Sequence, residues 1–419
     1  MTISLRIGAP VMAAAAALSL ALAGCSSSSS GGDRPASSSQ LGSSSSVAAP
    51  TGNAIVFAQI NDEGGQVGSF PEMRQATLAA VDYINKELGG VDGHPLKVDT
   101  CVSDGTPEGS STCANELLAD HPVAFLGGAD FGSYASLPII QKAGLAYLGG
   151  APLTTTEFTS GNSVQFSGFA AGALPALAIY ASDVLHAKKV AVINVILGSG
   201  ITTAQRYVLP VLKARGITDV KVIDVQPSTV DYTSAIAAAS QTNPDVIIAV
   251  VNPQSCVSVF QAHQTLSVHA KILIPGACLS EQILGAAGSA ANGAYGDLGF
   301  DPYDGSNADS KTFLHIVKTY APSGMPLDDF AGAGVNTVMN VAAMITAVGA
   351  DNLTTTKILA YFRDGKTHPN FLAKPYLCNG KIPTVPSLCN AADMFYQVVN
   401  GKAQVTSTTW YDGSPYLGG

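Results

Sequence analysis

The chain has 419 residues, and only 12% of them are charged, about half of the usual share. Apolar residues make up 47%, so the chain can bury a sizeable core, and the segment from residue 53 onward is long enough for two domains. The formal net charge is −9, and no basic stripe occurs, which argues against nucleic acid as a partner and against direct adhesion to anionic lipid.

The N-terminal segment has the pattern of an export signal. An apolar run over residues 11–23 has the length of a signal-peptide core and is too short to span a bilayer comfortably. It ends in Leu22-Ala23-Gly24-Cys25, which resembles a bacterial lipobox. The resemblance implies that residues 1–24 are a lipoprotein signal peptide and that Cys25 is diacylated on sulfur. The alternative is an ordinary signal followed by an incidental cysteine.

Residues 25–52 are dominated by Ser, Gly, Ala and Pro. Such a composition cannot bury enough apolar surface to offset its ordering entropy, which predicts a disordered tether. The expected mature protein is extracytoplasmic, held at the cell membrane by lipid, and without a transmembrane helix.

The body then alternates short apolar strands with helices. In the first half, strands are predicted at 54–61, 94–101, 122–128 and 145–151, and helices at 71–88, 107–120 and 136–144. In the second half, strands are predicted at 188–196, 220–226, 244–251 and 270–277, and helices at 173–187, 203–216, 232–243 and 254–266. Continuous apolar strands separated by helices are typical of parallel sheets covered on both faces. The number of units predicts an α/β protein with two such sheets.

Six cysteines follow the lipobox cysteine, and an even count in an exported chain favours disulfides. Six cysteines allow 15 pairings. The near-neighbour set is favoured, namely Cys101–Cys113, Cys256–Cys278 and Cys378–Cys389. A metal site is not expected, because no CxxC motif occurs and no histidine lies at ligand spacing.

Enzyme signatures are missing from the sequence. The GxSxG, HExxH and P-loop motifs do not occur. The stretch "GSGITT" lacks the third glycine of a dinucleotide loop, since Thr203 stands in that place. We therefore expect neither catalysis nor a cofactor.

The order of several stretches resembles the branched-chain amino acid (leucine/isoleucine/valine) binding proteins, a family of type I periplasmic binding proteins. The stretches are "AVDYINKELGGVDGHPLKV", "VAFLGGADFGSYASLPIIQKAGLAYLGGAPLTT", "KKVAVINVILGSG", "DYTSAIAAASQTNPDVIIAV" and "ANGAYGDLGFDPY". The resemblance implies two Rossmann-like lobes with parallel sheets, joined by a three-strand hinge that crosses near Ala170, Phe300 and Cys378. Lobe 1 would comprise 53–170 plus 301–378, and lobe 2 would comprise 171–300 plus 379–419.

The resemblance also implies a function: a monomeric solute-binding protein that captures a small molecule between its lobes and delivers it to the permease subunits of an ABC importer. Two alternatives remain at this point. The chain could be a ligand-sensing lipoprotein that feeds a signalling receptor, or an exported enzyme on a similar scaffold, although no convergent nucleophile and base are evident.

Two loops of the first lobe match the family's ligand loops, and they follow strand ends, where ligands of open α/β sheets lie. Members of the family use hydroxyls and backbone amides of these loops to hold a carboxylate. The resemblance places Ser133, Thr154 and Thr155 in that role; for each of them, capping a helix is the alternative. The remaining first-lobe candidates are Phe70, Asp130, Phe131, Gly132 and Pro152.

The second lobe departs from the family. Ala170-Ala171 stand where the family has an aspartate, and family tyrosines fall near Ser199 and Asn252. The acid that holds a ligand ammonium falls near Gly276, and Glu281 would replace it only with an unusual loop. We therefore expect a less charged pocket for a polar or carboxylate-bearing molecule, and poor binding of leucine, isoleucine and valine.

Overall fold

The computed structural model describes residues 47–65, 68–196, 203–226 and 228–418. Cys25, the predicted signal peptide, most of the predicted tether and Ser199 lie outside these residues. Within them, strands and helices alternate as the sequence predicts, and they form two separate sheets.

The first sheet has five strands in the order β2-β1-β3-β4-β5, and all of its pairs are parallel. Its strands are β1 Ile55–Asp62, β2 Leu96–Ser103, β3 Ala124–Leu126, β4 Tyr147–Leu148 and β5 Ser163–Val164. The helices that connect them are α1 Pro71–Glu87, α2 Pro107–Leu118, α3 Ser133–Lys142 and α4 Thr155–Thr159.

The second sheet has the order β12-β11-β10-β9-β8-β6-β7, with β13 paired to β11. Its parallel part comprises β6 Lys189–Val195, β7 Asp219–Val225, β8 Val246–Val250, β9 Lys271–Ile274 and β10 Tyr295–Leu298. Its antiparallel edge comprises β11 Ala392–Val399, β12 Lys402–Val405 and β13 Tyr411–Asp412. The helices between these strands are α5 Ala170–Asp183, α6 Thr203–Tyr207, α7 Leu209–Ala214, α8 Thr233–Ser240, α9 Cys256–Thr265 and α10 Glu281–Ala287.

One predicted helix differs in the structure. The sequence predicts a single helix over 203–216, whereas the structure has α6 and α7, separated at Val208. Pro210 explains the break, because it lacks the N–H that would bond to the carbonyl four residues earlier and its ring crowds that turn.

Between β10 and β11 the chain returns to the first sheet and forms α11 Ala308–Tyr320, α12 Asp329–Val348 and α13 Thr355–Phe362. Helix α12 is long and apolar enough to cross a membrane by length and composition, and it is the one helix of this kind in the described ranges. However, 67% of its apolar window is buried inside the protein, where it packs on α1. This burial is what a core helix requires.

Three segments of chain connect the two sheets: 165–169, 299–307 and 363–391. The first and the third are hydrogen-bonded to each other. The Gln165 N–H donates to the Ser387 carbonyl over 2.9 Å, and the Cys389 N–H donates to the Gln165 carbonyl over 3.0 Å. Two of the three connecting segments are therefore held side by side by backbone hydrogen bonds.

All three near-neighbour disulfides are present, which confirms that pairing among the 15 possible ones. Cys101–Cys113 joins β2 to α2. Cys256–Cys278 joins the start of α9 to the turn after β9, with 5.5 Å between the Cα atoms. Cys378–Cys389 lies within the third connecting segment. The second bridge fixes two loops that follow neighbouring strands of the second sheet.

Candidate functional site

A cavity of about 180 Å³ lies where the carboxyl ends of both sheets meet. From the first sheet it is lined by Phe70, Phe131 and Leu153, which follow β1, β3 and β4. From the second sheet it is lined by the ends of β6, β8 and β10 and by residues that follow β6, β8, β9 and β10. This is the edge at which α/β sheets bind ligands, so the cavity is the candidate site.

One wall of the cavity is a cluster of phenylalanine rings. The ring centroids of Phe70 and Phe330 are 4.4 Å apart, those of Phe169 and Phe330 are 5.0 Å apart, and those of Phe70 and Phe131 are 6.1 Å apart. The Asn61 side-chain amide donates to the Phe70 carbonyl over 2.9 Å and so fixes the turn that presents this ring. Burying apolar ligand surface against this wall is favourable at about 25 cal/mol per Å².

Three carboxyl groups line the cavity as well: Asp297 of β10, Asp329 at the start of α12, and Asp393 of β11. Their side chains are almost fully buried, with residue exposures of 1%, 9% and 3%. Asp329 Oδ1 accepts a hydrogen bond from the Gly299 N–H over 3.3 Å. Neither carboxyl oxygen of Asp297 has a hydrogen-bond partner among the described residues.

Burial dominates the electrostatics of these acids. It raises the pKa of Asp297 from 3.8 to about 7, and the backbone amides of Asp297 and Gly276, which approach the carboxyl without satisfying hydrogen-bond geometry, act in the opposite direction. Burial, followed by the charge of neighbouring acids, raises the pKa of Asp329 and of Asp393 well above the usual range. Without a positive charge beside them, Asp329 and Asp393 are therefore protonated at neutral pH, and Asp297 is partly protonated.

The acids have no cationic partner among the residues that the structure describes. Of the side chains that the structure describes, no lysine, arginine or histidine lines the cavity. No group of three or more His, Cys, Asp or Glu in the same described ranges is arranged to hold a metal ion. The site thus combines an apolar aromatic wall with an unpaired acidic one.

Four of the residues that the sequence predicts for the site line the cavity: Phe70, Phe131, Asn252 and Gly276. The Gly276 position has no room for a side chain, because an added Cβ would overlap the Asp297 carbonyl oxygen and Asp329 Oδ2. A glycine here therefore lets the loop after β9 approach the acids closely.

The other first-lobe candidates, Asp130, Gly132, Ser133, Pro152, Thr154 and Thr155, are not among the residues that line the cavity. The hydroxyl oxygens of Ser133 and Thr154 are 2.7 Å apart and bond to each other. Thr155 Oγ1 accepts from Arg206 Nη1 of α6 over 2.9 Å. The structure gives all three hydroxyls partners within the protein, and their role toward a ligand stays a prediction.

Asp130 also has its hydrogen-bond partners within the protein. Its carboxylate accepts hydrogen bonds from Ser110 Oγ, from Ser136 Oγ over 3.1 Å, and from the Gly132 N–H over 2.8 Å. Together these bonds close the loop between β3 and α3. Ser199, the remaining candidate, lies outside the described residues.

Three carboxyl groups line the cavity beside Gly276, and burial favours their neutral forms, so the expectation of a less charged pocket stays a prediction. Sequence analysis missed Asp297, Asp329 and Asp393, which lie far apart along the chain. A signal for two of them is present: "YGDLGF" and "AADMFYQVV" each place an aspartate within an otherwise apolar strand. A carboxyl inside a buried strand is expensive unless it has a function or a partner.

Comparison with known proteins agrees with this architecture. The family model described as periplasmic binding protein matches residues 54–379. Similar solved structures include the leucine-binding protein LivK of Thermotoga maritima, which is 16% identical with a TM-score of 0.67 and covers 85% of this chain and 99% of its own.

Two further structures show the same fold. The fatty acid ABC transporter substrate-binding protein of Thermomonospora curvata is 17% identical with a TM-score of 0.72, and the alignment covers 88% of this chain and 95% of that one. An ABC transporter solute-binding protein of Rhodopseudomonas palustris, solved with 3,4-dihydroxybenzoic acid, is 17% identical with a TM-score of 0.70, covering 86% and 98%. No curated protein matches the chain in sequence.

Proposed function

The chain belongs to the periplasmic binding protein family, and on this premise we propose that it is the solute-binding protein of an ABC importer. The predicted fold class, α/β with two lobes built on parallel sheets, is confirmed. The observation that carries the functional proposal is the cavity between the carboxyl ends of the two sheets, with lining residues from both.

The size and lining of the cavity indicate a small organic solute. An apolar cavity of about 150 Å³ holds one benzene ring, and this one has about 180 Å³. One ring or a short branched chain would fit against the phenylalanine wall, whereas a long acyl chain would not. Leucine-sized and benzoate-sized ligands, of the kind named for the structural neighbours, have the appropriate volume.

Capture requires that the two lobes close over the solute. We propose that the lobes are 53–170 plus 301–378 and 171–300 plus 379–419, which rotate about the three connecting segments. Closure is favoured by a ligand only to the extent that the ligand contacts the closed state better than the open one. A ligand that touches Phe131 on one side and Asn252 on the other would meet that condition, because the two residues follow strands of different sheets.

The anchor is part of the same proposal. A lipid on Cys25 and the tether that follows it would keep the binding protein near the permease subunits outside the cytoplasm. A Cys25→Ser protein should move from the membrane fraction to the soluble fraction. Unchanged retention at the membrane would contradict the lipid anchor and leave the binding function as it stands.

Thermal shift with a metabolite library tests the binding function, because a solute that binds only the native state raises the melting temperature. The matched control is Ala173→Phe, which places a ring in the cavity from the first turn of α5. We expect at least one solute to stabilise the parent protein and not the variant. A library with no stabilising solute would refute the proposal.

A further inference from the structure

We propose that the solute captured by this cavity is a small apolar amine or guanidine, that is, an organic cation with N–H donors and no carboxylate. The inference rests on the proposed function and names the substrate class of its site. It follows from the juxtaposition of an aromatic wall and three buried aspartates in one cavity.

Asp297 gives the most direct reason. Both of its carboxyl oxygens are buried and have no hydrogen-bond donor among the described residues, although the side chain lines the cavity. A buried acceptor without a donor costs free energy, so native proteins rarely leave one without a reason. A ligand that brings N–H groups to this position would satisfy both oxygens.

The convergence of charge gives a second reason. Asp297, Asp329 and Asp393 come from three different elements; the charge of Asp297 raises the pKa of the other two, and that of Asp329 raises the pKa of Asp393. The charge of Asp328 also raises the pKa of Asp329, and Asp329 in turn raises the pKa of the Tyr396 hydroxyl. No basic side chain of the described chain lines the cavity. The acids can therefore ionise inside the cavity only when a ligand brings the positive charge.

An organic cation is favoured over a metal ion. A divalent ion needs several oxygen ligands at about 2.0 to 2.6 Å from one centre. Within the described residues, no three acidic, histidine or cysteine side chains are grouped in that way. The phenylalanine wall instead offers apolar surface, and a ring face attracts a nearby organic cation.

A carboxylate on the ligand would be unfavourable. The hydroxyls of Ser133 and Thr154 bond to each other, and that of Thr155 accepts from Arg206. None of these three residues lines the cavity. Once a ligand ammonium draws the acids into their ionised form, a carboxylate on the same ligand would lie near them without a basic partner, and such unpaired like charge discriminates against a zwitterion.

Calorimetric titration at pH 8 with matched compounds tests the inference. One set is 2-phenylethylamine, phenylalanine and 3-phenylpropionate; the other is 3-methylbutylamine, leucine and 4-methylpentanoate. Within each set the apolar body is kept while the amine, both groups, or the carboxylate alone is present. We expect the amine of at least one set to bind at least tenfold more tightly than its two companions.

Asp297→Asn keeps the shape of the side chain and removes its charge. Removing one partner of a buried charge pair weakens binding strongly, so the affinity for the amine should fall about 30-fold or more. The control is Asp219→Asn, which makes the same chemical change at an exposed position of β7 and should leave the affinity unchanged. The melting temperature of each ligand-free variant establishes that it is folded.

Several outcomes would overturn the inference: tighter binding of either carboxylate or of the amino acids, no binding of either amine, or full affinity in Asp297→Asn. They are distinguishable from failure of the proposed function. If the metabolite library yields an anionic or neutral solute for the same cavity, the solute-binding function is supported and the proposal of a cationic solute is refuted. If it yields no solute at all, both are refuted.

Discussion

Replacing Asp297 by asparagine should change the pH dependence of stability in a defined direction. Burial raises the pKa of the Asp297 carboxyl from 3.8 to about 7. Between pH 5 and pH 7 the folded protein therefore holds a proton that the unfolded chain has released. Because the folded state binds more protons in this window, the free energy of unfolding falls as the pH rises.

The magnitude follows from the pKa. One proton changes the free energy of unfolding by about 1.4 kcal/mol per pH unit, so the parent protein should lose at most about 2.7 kcal/mol between pH 5 and pH 7 through this group. An asparagine does not titrate, so the variant does not lose this free energy of unfolding as the pH rises. We therefore expect the free energy of unfolding of Asp297→Asn, relative to that of the parent protein, to rise by about 2 kcal/mol between pH 5 and pH 7.

Urea unfolding of both ligand-free proteins at pH 5, 6 and 7 measures this difference. Comparing the two proteins cancels the titration of acids remote from the cavity, and Asp219→Asn controls for loss of a carboxyl as such. Parallel pH profiles for the parent and Asp297→Asn would show that Asp297 is not protonated in the folded state. If the parent became more stable relative to the variant as the pH rises, the pKa of Asp297 would be lowered in the folded state, not raised.

Three further substitutions have expected outcomes in thermal or urea unfolding. Gly276→Ala should cost about 1–3 kcal/mol, because its Cβ would overlap the Asp297 carbonyl oxygen and Asp329 Oδ2; an unchanged midpoint would show that the loop yields freely. Cys256→Ser should cost about 3 kcal/mol by opening the bridge to Cys278, and reduction of the parent should have no smaller effect. Glu157→Ala should cost more than Glu157→Gln, by about 1–3 kcal/mol, since only the alanine leaves the Leu153 and Thr154 N–H groups without an acceptor; equal losses would contradict that role.

Local sequence was sufficient for most of the fold. The apolar runs that predict strands near 188–196 and 244–251 form β6 and β8, because buried parallel strands need continuous apolar sequence. The three disulfides join cysteines that are near in sequence, with separations of 12, 22 and 11 residues. The antiparallel edge formed by β11, β12 and β13 was not predicted strand by strand, because its apolar pattern alone does not fix its partners.

The site was less predictable for a topological reason. Phe131 and Gly276 could be placed near a ligand because each directly follows a strand in its own sheet. Asp297, Asp329 and Asp393 meet only because the chain leaves the second sheet after β10, builds α12 on the first sheet, and returns as β11. No spacing in the sequence encodes that meeting. An aspartate within an apolar strand was the remaining local signal.

The hydrogen bonds between the first and third connecting segments limit how the cavity can open. The third segment is the longest of the three, but its extension is restricted in two ways. Cys378–Cys389 closes a loop within it, and two backbone hydrogen bonds join it to Gln165 of the first segment. We therefore expect the proposed lobes to move about this bonded pair of segments without separating there. An opening of this kind is a rotation, and distances between the proposed lobes, measured on a labelled protein with and without solute, should change least beside these segments and most at the far rim of the cavity.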